Sequence, residues 1–175
     1  MRVEVVEPDA SWTRQFEEEA RLLRSIFGGE IIHVHHIGST AVPGLKAKPV
    51  IDILPVVRDI ARVDAFNAQM EGIGYHAMGE FGLVGRRYFR KGGDNRTHQV
   101  HAYDERSHEA IARHIAFRDY LRAHPEVAHE YGELKAALAL QHPNDIESYM
   151  DGKDAFVLHI ERRALLWAGL GVGVE

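Results

Sequence analysis

The chain has 175 residues, 45% of them apolar and 27% charged, which suits one globular domain with a single core. Its formal net charge of −5 argues against general nucleic-acid binding, because such binding depends on a basic surface. A local basic pocket is compatible with this net charge. The absence of cysteine excludes a disulfide framework and a thiolate zinc site. We expect a cytoplasmic protein without membrane contact, since no signal-type segment or membrane-length apolar run occurs.

The first half of the chain predicts alternating strands and helices. Apolar residues at spacings of three and four predict a helix over residues 11–27. Residues 38–49 carry Gly and Pro, which favour a structured loop, and Gly92-Gly93-Asp94-Asn95 is typical of a hairpin turn. The other predicted elements are a helix over 59–71 and strands over 3–6, 31–37, 50–57, 75–79, 84–91 and 97–103.

The second half reads as helix. Helices are predicted over 106–123 and 125–141, and a third begins after Asn144, with Glu147 completing a capping box and an interruption at Gly152. The predicted organisation is an α/β core over 1–104, a helical part over 105–168 packed on the core as one unit, and a flexible tail over 169–175. The fold class is therefore α/β (α+β), a mixed sheet with flanking helices followed by a helical half.

The segment HHIGSTAVPGLKAKPVIDI, from His35 to Ile53, is the most informative for function. Gly38 allows close approach to the backbone, and Ser39 and Thr40 offer hydroxyl and N–H groups suited to a phosphate. Asp52 interrupts an apolar strand, where a charge is costly unless it is paired or bound to a metal. Two plainer interpretations stay open: Gly-Ser-Thr is a common turn, and a buried aspartate often caps a helix or pairs with arginine.

A Gly-Ser turn followed by an aspartate on the next strand resembles the nucleotidyltransferase superfamily. HIGSTAVPGLKAKPVIDI more narrowly resembles the GrpB family, as do RRYFRKGG, THQVHAY, AFRDYLRAHPEVAHEYGELKAALA and YMDGKDAFV, so that the likeness runs over roughly residues 7–168. The resemblance implies a nucleotidyltransferase-like mixed sheet, with Gly38 and Ser39 at the triphosphate and Asp52 at a divalent metal, Mg²⁺ or Mn²⁺.

The chain departs from the superfamily where a second strand acid is usual, because that position holds Leu54. Strand alternation places Gln99 and His101 on one face and His98 on the other. The resemblance makes His101 a candidate second metal ligand and catalytic residue with Asp52, and we expect the two to face a common cleft. His101 as a phosphate ligand or base, or as an ordinary strand histidine, stays open.

Further candidates come from the basic and cleft-facing positions. Arg86, Arg90 and Lys48 are predicted phosphate contacts, the two arginines on one face of a strand, with a solvent-exposed basic edge as the alternative. The candidates for contact with the substrate, beyond those already given, are His36, His98, Gln99, Tyr131, Lys135 and Lys153. Core packing for the tyrosine and histidines, and solvation for the lysines, are the alternatives.

The leading functional hypothesis is metal-dependent transfer of a nucleotidyl group from a nucleoside triphosphate to an unknown acceptor. The alternative is an inactive nucleotide- or anion-binding regulatory module, with a link to coenzyme A metabolism implied by family members fused to dephospho-coenzyme A kinase. A protein-interaction domain is a third interpretation. The predicted partner is in either leading case a nucleotide or another phosphate-bearing small molecule, and the sequence gives no oligomer signal.

Overall fold

The computed structural model describes residues 1–171 and contains a five-stranded mixed sheet in the order β1-β2-β5-β4-β3. The predicted fold class is confirmed. The helices and strands are α1 Ser11–Phe27, β1 Ile31–Ile37, β2 Ile51–Val57, α2 Ile60–Val63, α3 Asn67–Gly72, β3 Tyr75–Ala77, β4 Arg86–Lys91, β5 His98–Asp104, α4 His108–Ala123, α5 Pro125–Gln141 and α6 Ile146–Trp167.

The strand register decides which side chains meet. Strands β2 and β5 are parallel, with Asp52 opposite Gln99, and the other neighbouring strands are antiparallel, with Asp52 opposite Ile37 in β1. Because side chains alternate along a strand, the face that carries Asp52 also carries Gln99 and His101. The predicted hairpin between β4 and β5 is confirmed.

One face of the sheet is covered by α1, α2 and α3. The apolar stripe of α1 drives this packing, since its spacing puts Trp12, Leu23 and Phe27 on one side of the helix. These residues join the main core, whose other buried members include Ala47, Ile51, Ile53, Val57, Val63, Met70, Tyr75, Phe89 and Val100. We call this the α1 face.

The opposite face, which we call the helical face, meets α4, α5 and α6. The three helices pack around Val42 and Leu45 of the loop between β1 and β2, and Leu54 is fully buried beneath them with Ile37 and Tyr103. The helices therefore close over the Gly-Ser turn and Asp52. None of the helices in residues 1–171 has the length and apolar character needed to cross a membrane.

Several predicted boundaries were wrong for local reasons. Residues 3–6 form no strand: Val6 makes a single bridge to Ala47, and Val3 packs instead with Leu138 and Tyr149. The predicted helix over 59–71 is two short helices, because a 3-10 turn over 64–66 separates them.

Helix α6 also corrects the sequence interpretation. Its N-cap is Asp145, whose carboxylate accepts from the Ser148 backbone N–H, and not Asn144. The helix continues through Gly152. A Cβ at this position would come within 2.4 Å of a Leu138 methyl group, so close helix packing, and not a helix break, accounts for the glycine. Of the predicted tail, residues 172–175 lie outside the described residues.

Candidate functional site

A cavity of about 350 Å³ lies between the helical face of the sheet and helices α4, α5 and α6. It brings together side chains from distant parts of the chain. The predicted site residues along its wall are Gly38, Ser39, Thr40, Lys48, Asp52, Gln99, His101, Tyr131, Lys135 and Lys153. Their chemical roles stay predictions, and their common location is what gives those predictions a physical basis.

The floor of the cavity is the turn after β1. Gly38 has φ +73°, and a Cβ there would lie 2.7 Å from Oδ2 of Asp52. Glycine is therefore required twice, by the backbone conformation and by the close carboxylate. The residues that follow, Ser39–Ala41, form one 3-10 turn that exposes the Ser39 hydroxyl to the cavity.

Three side chains fix this turn from outside the cavity. His36 is hydrogen-bonded through Nε2 to Thr40 Oγ1 at 2.9 Å, and its ring stacks on Phe16. From α4, Arg118 donates to the His36 carbonyl at 3.1 Å and Arg122 to the Ala41 carbonyl at 2.8 Å. The two arginines are four residues apart on one helical face, so they hold the backbone on both sides of Gly38 and Ser39.

His36 is buried, and burial lowers its pKa to about 4, against the opposing influence of Asp52. The imidazole is consequently neutral at physiological pH. It does not line the cavity, and its hydrogen bond goes to the turn itself.

Asp52 is held by two neighbours on β5. Nε2 of His101 donates to Oδ1 of Asp52 at 3.1 Å. Gln99, with its amide nitrogen turned toward the carboxylate, donates to the same oxygen at 3.0 Å, while its amide oxygen accepts from Arg96 at 3.3 Å. The carboxylate is thus oriented by hydrogen bonds before any ligand is present.

The donor set around Asp52 suits a metal only in part. Within residues 1–171 no group of three or more His, Asp or Glu side chains is arranged to hold a metal ion. If His101 offered Nε2 to a metal, its proton would move to Nδ1, a buried atom without a hydrogen-bond partner in the described structure. One carboxylate nevertheless fits an ion that also takes phosphate oxygens and water, as Mg²⁺ commonly does.

Three lysines form the opposite wall. Lys135 is only 3% exposed, and its ammonium nitrogen donates to Ser39 Oγ at 2.7 Å. The same nitrogen lies 4.3 Å from the centre of the Tyr131 ring, and those of Lys48 and Lys153 lie 5.4 and 5.9 Å from that of Tyr149. The three lysine nitrogens are therefore surrounded by aromatic rings and one hydroxyl, where acidic partners are usual for buried lysines.

The pKa values of these lysines reflect their surroundings. Burial, followed by repulsion from Lys153 and Lys48, holds the pKa of Lys135 well below its ordinary value, and Asp52 acts in the opposite direction. Burial also lowers the pKa of Lys48 and that of Lys153. In the described part of the chain, no carboxylate lies within salt-bridge distance of the three ammonium groups.

Residues that sequence reasoning missed lie at the far end of the cavity. Arg113, His114 and Phe117 come from α4, and Glu161 comes from α6. His114 is half-buried, and desolvation, with smaller contributions from His101 and Arg113, lowers its pKa to about 4. The i, i+4 spacing of Arg113 and Phe117 was the available signal, since it puts both on one helical face.

Three other predicted residues lie away from the cavity wall. Arg86 shares the helical face but donates to the backbone carbonyls of Glu80 and Phe81, and Arg90 lies over the Phe81 ring. Both belong to β4, one strand beyond β5 in the sheet, and neither lines the cavity. His98 is on the α1 face, near Glu19.

The mixed sheet, the Gly-Ser turn and the strand aspartate together define a domain of nucleotidyltransferase-like architecture. The chain belongs to the GrpB family, whose model, described as GrpB protein, matches residues 2–163. The solved structure of the conserved protein GrpB from Enterococcus faecalis superposes with a TM-score of 0.93 at 50% identity, covering 95% of this chain and 99% of that one.

Curated relatives are similar over most of the chain. The protein YqkA of Bacillus subtilis is 50% identical over 166 residues, which are 95% of this chain, and the glutamate-rich protein GrpB of Alkalihalophilus pseudofirmus is 38% identical over 84% of this chain and 87% of its own length. The chain spans 48% of the length of YqkA. A dephospho-CoA kinase of Mycobacterium leprae is 28% identical over 94% of this chain and 47% of its own length.

Proposed function

We propose that this chain binds a nucleoside triphosphate in the cavity lined by Lys48, Lys135 and Lys153 and transfers its nucleotidyl group to an acceptor. One observation carries the proposal: three lysines, Lys135 buried and Lys48 and Lys153 half-buried, converge on a Gly-Ser turn without a carboxylate partner in the described residues, in a chain of net charge −5. Arg113 adds a fourth basic side chain, against the two acids of the wall, Asp52 and Glu161. Such a surplus favours an anion, which replaces the solvation that the lysines lost.

The proposed role of each residue follows from its place in the cavity. The Ser39 hydroxyl and the Lys135 ammonium group lie 2.7 Å apart, so both can contact the same phosphate group. Lys48 and Lys153 line the same cavity. Asp52, fixed by Gln99 and His101, offers its carboxylate next to Gly38. The proposed catalysis rests on positioning and on neutralising charge that develops on phosphate oxygens.

A divalent ion, Mg²⁺ or Mn²⁺, would be held by Asp52 and, after a change of tautomer, by His101. When bound, such an ion neutralises phosphate charge and polarises the phosphoryl group. The single strand acid makes us expect weak metal binding without nucleotide, because phosphate oxygens must supply the missing ligands.

The test is turnover with labelled ATP, GTP, CTP and UTP, each with Mg²⁺ or Mn²⁺, in the presence of a cell extract as acceptor source. We expect pyrophosphate release and a labelled product, both lost in Asp52→Ala. A matched control is Asp64→Ala, which removes an exposed acid paired with Arg87 outside the cavity. Equal release by all three proteins would exclude Asp52 from the reaction.

A second candidate function is a nucleotide- or anion-binding regulatory module without turnover. Leu54 favours it, because this fully buried residue holds the position of the second superfamily acid. The relatives named dephospho-CoA kinase add a link to coenzyme A metabolism. Nucleotide binding in a thermal-shift assay, combined with no pyrophosphate under either metal, would support this function over transfer.

A further inference from the structure

We propose that Lys135 is a neutral amine in the ligand-free cavity and takes up a proton when a phosphate-bearing ligand binds. This proposal rests on the proposed function, because it assumes that the cavity binds phosphate. It makes Lys135 the residue through which the cavity adapts its charge to its ligand. Ligand affinity should then depend on pH through this one side chain.

The geometry around the amine supports the proposal. Lys135 is 3% exposed, its nitrogen lies over the Tyr131 ring at 4.3 Å, and its hydrogen bond goes to the uncharged Ser39 hydroxyl at 2.7 Å. An ammonium group in such surroundings has lost water without gaining a counter-ion. A neutral amine can keep the Ser39 hydrogen bond at no such cost.

The groups that face Lys135 come from every element around it. The two cations are Lys48 in the loop before β2 and Lys153 on α6, and the one acid with an opposing influence is Asp52 on β2. Other titratable side chains of the cavity are His101, His114, Tyr131, Tyr149, Arg113 and Glu161. The cations next to Lys135 outnumber the acid, so they disfavour its protonated form until an anion binds.

The sign of the pH dependence follows from this arrangement. The pKa of Lys135 is well below its ordinary 10.5 in the free cavity, and a bound phosphate raises it. Between these two values binding takes up a proton, so affinity falls as pH rises, by up to about tenfold per pH unit for one proton. Below the lower pKa, Lys135 is already charged and the dependence disappears.

The direct test is NMR of protein carrying ¹³C at lysine Cε, titrated over pH with and without inorganic pyrophosphate. The Lys135 signal is assigned by its loss in Lys135→Arg. We expect it to titrate far below the other lysines in the free protein and closer to them with pyrophosphate bound. A free-state titration at the ordinary lysine pKa overturns the proposal, as does bound pyrophosphate that leaves the pKa of Lys135 unchanged.

Calorimetry in buffers of different ionisation enthalpy gives the proton count independently. At a pH between the free and bound Lys135 pKa values that the NMR titration gives, the wild-type protein should take up more protons per bound pyrophosphate than Lys135→Arg, whose guanidinium stays charged. Lys46→Met, outside the cavity, should match the wild type. Equal uptake by wild type and Lys135→Arg contradicts the proposal.

The two proposals fail in different ways. If pyrophosphate and nucleotides leave every signal unchanged, the proposed function fails, and with it the bound-state half of this inference. If they bind without the change at Lys135, only the inference fails, and the phosphate site stands.

Discussion

The two faces of the sheet bury charge in opposite ways. On the α1 face, Glu19 is buried, accepts from the Tyr75 hydroxyl at 2.8 Å and forms a salt bridge with Lys91. On the helical face, Lys135 is buried as deeply and meets a hydroxyl and an aromatic ring instead of an acid. The first arrangement is complete within the chain, whereas the second is complete only when an anion binds.

This difference separates a structural charge from a functional one. A paired buried charge can be broken only at a cost to folding, because the remaining partner loses its compensation. A buried basic group without an acid partner costs stability whether it stays charged or gives up its proton, so its removal should stabilise the fold while weakening the site. The same kind of mutation should therefore have opposite effects on the two faces.

The largest effect is expected for Glu19→Gln on the α1 face. Without the carboxylate, Lys91 has no counter-ion, and since 20% of the Lys91 side chain is exposed we expect a loss near the lower limit for buried pairs, about 3 kcal/mol in the free energy of unfolding. Denaturant unfolding measures it. Glu18→Gln, on the exposed side of the same helix, should change stability by less than about 0.5 kcal/mol. Equal losses would remove the distinction between the faces.

The opposite sign is expected for Lys135→Met on the helical face. The pKa of Lys135 is lowered by folding, so the unfolded chain binds more protons between the two pKa values, and the lysine costs stability at neutral pH. Methionine of similar shape should stabilise the fold by about 2 kcal/mol and weaken nucleotide binding. The gain should shrink as pH rises toward 10.5. Destabilisation at neutral pH would show that the charge is already compensated.

The turn can be tested with a pair of glycines. Gly38→Ala and Gly44→Ala both place alanine at positive φ, +73° and +79°, but only the first puts a Cβ 2.7 Å from Asp52, while the second meets nothing within 4 Å. We expect Gly38→Ala to cost about 1 kcal/mol more in unfolding free energy and to weaken nucleotide binding, which Gly44→Ala should leave intact. Equal binding by both variants would argue against a role for the contact between Gly38 and Asp52.

The smallest effect concerns acid stability. Folding lowers the pKa of His36 from 6.5 to about 4, so the unfolded chain binds more protons in this window and stability falls as pH falls through it. We expect His36→Phe to make this decline shallower, although the variant also loses the hydrogen bond to Thr40. Unfolding curves between pH 6.5 and about 4 measure the slope. An unchanged slope would assign the decline to other groups, His114 first.

The strand positions of the candidate site residues were predictable from sequence because strand geometry is simple. Alternation along β5 was enough to put Gln99 and His101 on one face, and the parallel pairing with β2 brings that face to Asp52. Arg86 and Arg90 also share one strand face, as alternation predicts. The strand order nevertheless puts β4 beyond β5, and no local sequence pattern indicates strand order.

The helical half was less predictable. Lys135 reaches Ser39 across 96 positions, and only the packing of α5 on the turn creates that contact. The reason for glycine at position 152 of α6 is likewise its contact with Leu138, a neighbour in space. Long-range helix packing therefore made the cation cluster, and the sequence could name its lysines without indicating that they lack acid partners.

The most direct test of the central claim is the melting temperature as a function of tripolyphosphate concentration. A ligand that binds only the native state raises stability with its concentration, so we expect a rise for the wild type and for Lys46→Met, which lies outside the cavity, and little or none for Lys153→Met. A flat response of the wild type, or an equal rise in Lys153→Met, would contradict the claim that the unpaired lysines are an anion-binding site.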